Sequence, residues 1–139
     1  MRNIENRFMK LAFDKAYEHL GSTKENPSVG CVVVKDGVII SSGVTSINGR
    51  PHAEINALKQ RLNYVGSSIY TTLEPCEMCQ YLIIQTGIKK VYFGAYSDSI
   101  MKNKFKIRNN FLKRNEYYGG INEKECSDLI KKFFSDSRS

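Results

Sequence analysis

The chain has 139 residues, of which 41% are hydrophobic and 25% charged, and its formal net charge at pH 7 is +7. This size and composition predict one globular domain, residues 1–139, with one core. No apolar run reaches the length of a signal peptide or a membrane span, which excludes a membrane protein and predicts a cytoplasmic location. In that reducing compartment, close cysteines more often bind a metal or do chemistry than form a structural disulfide.

The first part of the chain contains one helical pattern and one hairpin pattern. Apolar residues recur at helical spacing over residues 3–20, which predicts a helix with Asn3 as its N-cap and Gly21 as its stop. Residues 29–44, VGCVVVKDGVIISSGV, contain two β-rich runs around an Asp-Gly pair. Because Asp-Gly is favoured in two-residue hairpin turns, this stretch predicts an antiparallel hairpin.

Beyond the hairpin, helical and strand patterns alternate along the chain. This alternation indicates an α/β fold, in which the hairpin adds an antiparallel edge to an otherwise parallel sheet. The predicted elements of this part are, in chain order, a helix over residues 52–62, a strand over 67–73, a helix over 76–87, a strand over 89–96, a short strand over 116–120 and a helix over 122–134.

Two helix starts carry the residue types of a metal site. His52 opens the helix of PHAEINAL, and Cys76 and Cys79 lie in the first turn of the helix that begins at PCEMC. If these helices pack side by side, one imidazole and two thiolates face a single point, which suits tetrahedral Zn²⁺ with a fourth position open to water. Glu54 could move a proton from that water to a leaving group without binding the metal.

Three other interpretations of these residues compete with a catalytic zinc site. A Cys-x-x-Cys pair also suits redox chemistry, but a redox pair needs neither His52 nor Glu54. A non-catalytic zinc-stabilised binding module would close its fourth position with a protein ligand. Glu54 could also be a solvent-facing residue that the helix dipole favours. The joint pattern favours a zinc hydrolase, because it matches the signature H-x-E…P-C-x-x-C of zinc nucleobase deaminases.

Three further residues receive structural interpretations. Cys31 lies in the apolar strand GCVVV and is predicted to be a buried small side chain. Cys126 lies on the final helix and is predicted to be structural or exposed. His19 is predicted to lie at the end of the first helix, where the helix dipole favours a cation.

Much of the positive charge comes from one segment, residues 102–114, KNKFKIRNNFLKR, which carries six basic residues and no acid. Such a run is typical of a surface that binds phosphate groups or RNA. It is also typical of a solvated loop or helix face. We favour the solvated face over RNA binding, because a basic run alone is a weak signal.

The motifs resemble those of the cytidine deaminase-like superfamily of zinc deaminases, and the resemblance covers nearly the whole chain. It implies a three-layer α/β/α fold around a mixed five-stranded sheet. It also implies Zn²⁺ on His52, Cys76 and Cys79, Glu54 as the proton shuttle, and hydrolytic release of ammonia from a ring carbon that bears an amino group. Because the superfamily is commonly oligomeric, the resemblance further implies a homodimer.

Two segments closely resemble the deaminase domain of the bacterial riboflavin-pathway enzyme, which acts on a diaminopyrimidinone ribosylamine phosphate. They are ENPSVGCVVVKDG and GRPHAEINALK. By this resemblance Asn26 lines the substrate pocket, and Arg50, beside the metal loop, could bind the phosphate of a nucleotide. The chain leaves no room for the reductase that usually accompanies that domain, so this branch implies a stand-alone deaminase.

Other segments are similar to the tRNA adenosine deaminases, namely VYFGAYSD and GGINEKECSDLIKKFF. The two residues between Cys76 and Cys79 also depart from the longer loop that is usual in the riboflavin branch. In contrast, VTSINGRP before the His-Ala-Glu motif matches the tRNA branch poorly. Because the segments nearest the pocket say most about the substrate, we expect a small pyrimidine nucleotide. The alternatives are a tRNA adenosine, or another cytosine or nucleoside substrate.

Overall fold

The computed structural model describes residues 2–24, 26–97 and 115–137, so the basic segment 102–114 lies outside the described residues. Within the described ranges the chain forms four helices and five strands. Each helix there is too short or too polar to cross a membrane. The elements are, in chain order, α1 Arg2–Tyr17, β1 Gly30–Lys35, β2 Val38–Val44, α2 Ala53–Leu58, β3 Ser68–Leu73, α3 Glu77–Thr86, β4 Lys90–Ala95, β5 Glu116–Tyr118 and α4 Glu123–Ser137.

The strands form one mixed sheet in the order β2-β1-β3-β4-β5. Strand β1 pairs antiparallel with both β2 and β3, whereas β3 with β4 and β4 with β5 are parallel pairs. The prediction of an antiparallel hairpin at the edge of a parallel sheet is therefore confirmed. The carboxyl ends of β3 and β4 meet at one edge of the sheet, which is where α/β folds commonly bind ligands.

The hairpin turn consists of Asp36 and Gly37, with φ angles of 52° and 78°. Positive φ at both central residues defines the tight turn whose twist matches that of the flanking strands. This explains why the Asp-Gly pair predicted the hairpin correctly.

Two hairpin glycines let a helix approach each face of the sheet. A Cβ at Gly30 would collide with the backbone of α1 at Ala12, and a Cβ at Gly43 would collide with the backbone of α2 at Ala53. Gly43 pairs with Cys31, the residue after Gly30, so the two glycines point to opposite faces. Helices α1 and α2 therefore lie on opposite sides of the sheet.

The other two helices complete the layers. A Cβ at Gly94 would collide with the sulfur of Cys126 on α4. Gly94 shares its face with Tyr92, whose ring stacks on Tyr70 at 4.5 Å, and Tyr70 in turn contacts Phe8 of α1 at 5.3 Å. Helix α4 thus lies on the α1 side, whereas α3 contacts α2. The predicted three-layer α/β/α fold with a mixed five-stranded sheet is confirmed.

The predicted ends of the first helix are wrong. Asn3 lies inside α1 and does not cap it, and α1 ends at Tyr17, well before Gly21. The hydroxyl of Ser28 donates a hydrogen bond to the carbonyl oxygen of Ala16 at 2.6 Å. Beyond this point the chain continues in short turns. A tertiary contact therefore supplies a donor to the end of the helix, where the pattern of apolar residues alone predicted another turn.

The second helix is also shorter than predicted, because it spans Ala53–Leu58 and not 52–62. The hydroxyl of Tyr64 lies 3.0 Å from the carbonyl oxygen of Ala57 and 2.7 Å from that of Gln60. These carbonyl groups thus find a hydrogen-bond donor outside the helix.

Candidate active site

The N-cap residues of α2 and α3 are the centre of the site. His52 caps α2 with φ −68° and ψ 162°, and Cys76 caps α3 with φ −68° and ψ 167°. Neither side chain makes the usual hydrogen bond to its own helix, so both are available to other partners. Because α2 and α3 pack together, their first turns converge as the sequence predicted.

Three ligand atoms meet at this point. The sulfur atoms of Cys76 and Cys79 each lie 3.7 Å from Nδ1 of His52, and the three atoms lie within 4.8 Å of one another. Ligands at tetrahedral zinc, with bonds of about 2.0 to 2.3 Å, lie about 3.6 to 3.8 Å apart. Two thiolates and one imidazole are also donors that zinc prefers. The residues therefore fit a zinc ion.

Contacts among the three groups shift the pKa of each one. A hydrogen bond with the Cys79 thiol, reinforced by one with His52, lowers the pKa of Cys76 to about 4, against burial, which raises it. The hydrogen bond with Cys76 and burial raise the pKa of Cys79, and the contact with Cys76 raises the pKa of His52. A metal ion would displace the protons of this cluster, because thiols and imidazoles bind metals in their deprotonated form.

Glu54 is 4% exposed and lies in the first turn of α2, beside the cluster. Burial raises the pKa of its carboxyl group to about 7. This placement contradicts the interpretation of Glu54 as a solvent-facing helix residue. A buried carboxyl group with a pKa near neutrality is typical of a general acid or base.

A cavity of about 300 Å³ opens beside the cluster. Its lining includes His52, Cys76 and Glu54 together with Asn26 and Arg50, the two residues predicted to contact the substrate. The cavity therefore places the two residues predicted to bind the substrate beside two of the predicted zinc ligands and the predicted proton carrier. Their binding roles stay predictions.

Asn26 and Arg50 differ in what they offer to a ligand. The side-chain amide of Asn26 donates a hydrogen bond to the carbonyl oxygen of Gly49 at 2.7 Å. Because that contact uses the nitrogen, the side-chain oxygen of Asn26 is its group for accepting a hydrogen bond from a ligand. Arg50 is exposed and lines the cavity, and its guanidinium is a group that suits an anionic ligand.

Sequence analysis missed three polar residues that also line the cavity, Thr45, Glu74 and Ser97. The carboxylate of Glu74 accepts hydrogen bonds from both the backbone N–H and the hydroxyl of Ser97, each at 3.0 Å. Glu74 and Ser97 follow the carboxyl ends of β3 and β4. The order of strands could have identified this pair, because ligands bind at that edge of a parallel sheet.

The other singled-out residues lie outside the cluster. Cys31 and Cys126 are fully buried, which confirms the interpretation of Cys31 and resolves Cys126 as structural. Cys31 donates its thiol hydrogen bond to the carbonyl oxygen of Ala53 at 3.3 Å. The interpretation of His19 is wrong, because α1 ends before it and Nδ1 of His19 instead lies 2.6 Å from the carbonyl oxygen of Thr45.

The layered fold and the histidine–cysteine cluster together define a class of zinc-dependent hydrolytic enzyme. Residues 2–95 match the model of the cytidine and deoxycytidylate deaminase zinc-binding region, and the chain belongs to this deaminase family. The prediction of a zinc-dependent deaminase is thereby confirmed at the level of the class. His52, Cys76 and Cys79 are positioned so that they could hold the zinc ion.

Relatives fall on both of the branches that the motifs resemble. Riboflavin biosynthesis protein RibD of Aquifex aeolicus (strain VF5) is 37% identical over 145 residues, which cover 97% of this chain but 40% of the relative. The tRNA-specific adenosine deaminase of Buchnera aphidicola subsp. Baizongia pistaciae (strain Bp) is 34% identical over 155 residues, which cover 99% of this chain and 93% of the relative.

Among solved structures, the chain is similar to the diaminohydroxyphosphoribosylaminopyrimidine deaminase/5-amino-6-(5-phosphoribosylamino)uracil reductase of Thermotoga maritima. The TM-score is 0.81 and the identity 33%, over 99% of this chain and 42% of that protein. The chain thus spans about two fifths of the length of the riboflavin-pathway relatives.

Proposed function

We propose that the chain acts as a single zinc-dependent deaminase domain, residues 1–139, that releases ammonia from an aminopyrimidine nucleotide. Its substrate is the riboflavin-pathway diaminohydroxyphosphoribosylaminopyrimidine. The observation that carries this proposal is the buried carboxyl group of Glu54 in the same cavity as His52 and Cys76. A purely structural zinc site requires neither a cavity nor a buried proton carrier.

In this mechanism, His52, Cys76 and Cys79 would hold the zinc ion, which would supply Lewis-acid activation of a water molecule. The carboxylate of Glu54 takes a proton from the attacking water and passes it to the substrate, so that the amino group leaves as ammonia. Water supplies the oxygen that replaces the amino nitrogen on the ring. Burial assists Glu54, because a pKa of about 7 lets one group accept and release a proton near neutral pH.

The cavity supports a small nucleotide as the substrate. Its volume of about 300 Å³ is at the lower end of the range for small-molecule sites. The side-chain oxygen of Asn26 would accept a hydrogen bond from an amino or N–H group of the pyrimidine. Arg50 would bind the phosphate, because a guanidinium pairs with phosphate through two parallel hydrogen bonds.

The second candidate function is deamination of adenosine in tRNA. The full-length match to the tRNA-specific adenosine deaminase favours it, because this chain covers 93% of that relative. An RNA substrate must place one unpaired base in the cavity while its backbone phosphates contact basic residues outside. Deamination of another cytosine base or nucleoside is a third candidate from the same class.

We also propose that the protein is a cytoplasmic homodimer. This proposal extends the resemblance to an oligomeric superfamily. Light scattering coupled to size-exclusion chromatography tests it, since a dimer has twice the mass of the 15.9 kDa chain. A single species with the mass of one chain would contradict it.

The test of the substrate is an ammonia-release assay on the zinc-loaded protein. The riboflavin-pathway nucleotide and a tRNA anticodon stem-loop are supplied in parallel, each at several salt concentrations. We expect turnover of the nucleotide with a weak dependence on salt. Turnover of the RNA alone, with strong inhibition by salt, would assign the protein to the tRNA branch.

A further inference from the structure

One wall of the cavity is organised around Thr45, which is 1% exposed. The backbone N–H of Thr45 donates to the carbonyl oxygen of Val29 at 2.9 Å. Its hydroxyl accepts from the N–H of Val29 at 2.9 Å and donates to the carbonyl oxygen of Pro27 at 3.2 Å. Pro27, Val29 and Thr45 all line the cavity, so the position of Thr45 sets the position of this wall.

His19 holds Thr45 from outside the cavity. Its Nδ1 lies 2.6 Å from the carbonyl oxygen of Thr45, a contact between residues 26 positions apart in the chain. Because a carbonyl oxygen can only accept a hydrogen bond, Nδ1 of His19 must carry the proton. His19 does not line the cavity, so it reaches a ligand there only through Thr45.

We propose that His19 is a positioning residue for substrate binding. Its N–H group holds the Thr45 carbonyl, and Thr45 holds Pro27 and Val29 in the cavity wall. The inference rests on the proposed function in one respect, namely that the cavity binds the substrate. His19 acts on binding and not on proton transfer, because Glu54 and the zinc ligands lie at the starts of α2 and α3.

Three variants separate positioning from general stability. His19→Phe keeps an aromatic ring but removes the donor, and His19→Asn restores an N–H group close to the place of Nδ1. Tyr64→Phe is the matched control, because it removes a buried hydroxyl that contacts the carbonyl oxygens of Ala57 and Gln60. Tyr64 does not line the cavity. If His19→Phe does not fold, the smaller His19→Leu serves the same purpose.

The first readout is amide hydrogen exchange, which needs no substrate. We expect His19→Phe to accelerate exchange of the Val29 and Thr45 amides by about fivefold, the effect of losing one neutral hydrogen bond. His19→Asn should restore the rate of the unmodified protein. Tyr64→Phe should accelerate exchange near residues 57–64 and leave Val29 and Thr45 unchanged. Unchanged exchange of these two amides in His19→Phe would overturn the proposal.

The second readout is the kinetics of ammonia release with the riboflavin-pathway nucleotide. We expect His19→Phe to raise KM by about fivefold with kcat within about twofold, and His19→Asn to recover KM. A fall in kcat at unchanged KM would contradict a binding role. If the unmodified protein releases no ammonia from any aminated substrate, the proposed function fails, and the exchange experiment still decides whether His19 positions the wall.

Discussion

At the scale of single residues, different side chains at the starts of α2 and α3 are proposed to bind the metal and to carry the proton. The thiols of Cys76 and Cys79 and the imidazole of His52 could hold a metal ion, whereas the buried carboxyl group of Glu54 is the proposed proton carrier. The side chains that perform the two tasks are neighbours in space but differ in chemistry, so substitutions can remove one task at a time.

Glu54→Gln tests the proton carrier. The amide has nearly the shape of the carboxyl group but cannot accept and release the proton, so we expect kcat to fall by about 10² to 10⁴-fold with zinc retained. Zinc content by elemental analysis and ammonia release provide the measurements. Glu125→Gln is the control, because Glu125 is exposed in the first turn of α4 and should keep full activity. Full activity of Glu54→Gln would refute the proposed role.

Cys79→Ala tests the metal site. Both zinc and activity should be lost, because removal of a thiolate leaves two protein ligands. Cys126→Ala is a matched control, since both cysteines are fully buried but Cys126 lies on the opposite side of the sheet. We expect this control to bind zinc at the original stoichiometry. Equal zinc content in the two variants would contradict the assigned ligand set.

At the scale of elements, α2 is the most dependent on its surroundings. It has six residues, far fewer than an isolated helix needs to be stable in water. It is held by close packing on Gly43, by the Cys31 contact with Ala53, and by the side chain of Asn56, which donates to the carbonyl oxygen of Val44 at 2.8 Å. The position of His52 and Glu54 therefore depends on β1 and β2.

Gly43→Ala tests this dependence. The added methyl group would meet the backbone N of Ala57 at 2.6 Å and press on α2, which should destabilise the fold by about 1 to 3 kcal/mol. It should also weaken zinc binding by about tenfold, because His52 moves with α2. Gly30→Ala is the control, since it presses on α1 on the other face.

Urea unfolding and competition with a zinc-binding dye measure the two effects. We expect both variants to lose stability and Gly43→Ala alone to lose zinc affinity. Equal zinc affinity in the two variants would show that α2 does not need its packing on β2 to present His52.

At the scale of the whole molecule, a zinc ion held by His52, Cys76 and Cys79 would join α2 to α3, two helices that also contact each other directly. A ligand at 100 times its dissociation constant stabilises a native state by about 2.7 kcal/mol. For a chain of this size, removal of zinc should lower Tm by about 10 °C. Differential scanning fluorimetry with and without a chelator measures the change, and zinc added back should reverse it. A Tm that does not respond to the chelator would contradict a metal site shared by α2 and α3.

Local sequence patterns predicted the parts of the fold and site that depend on local chemistry. The Asp36-Gly37 turn follows from backbone preference, and the site follows from residue types at the starts of two helices. The ends of α1 and α2 could not be predicted, because the partners of their last carbonyl groups, Ser28 and Tyr64, are tertiary contacts. The roles of such contacts become visible only when the chain is folded.

The cavity wall shows the same limit. Thr45 and Ser97 follow strands, and each acquires its partners from a distant segment. The contact between His19 and Thr45 could not be predicted from the sequence. A histidine near a helix end is usually explained by the helix dipole, and that explanation does not involve a distant partner.

The most direct test of the whole account is a turnover of the riboflavin-pathway nucleotide by the zinc-loaded protein in water enriched in oxygen-18, with ammonia and the labelled product measured together. Hydrolytic deamination predicts one oxygen-18 atom in the pyrimidine for each ammonia released, and a rate of formation of both products that is lower by about 10² to 10⁴-fold in Glu54→Gln. Ammonia without the label, or no ammonia from any aminated nucleotide or RNA, would contradict the central claim that this cavity performs zinc-dependent hydrolytic deamination.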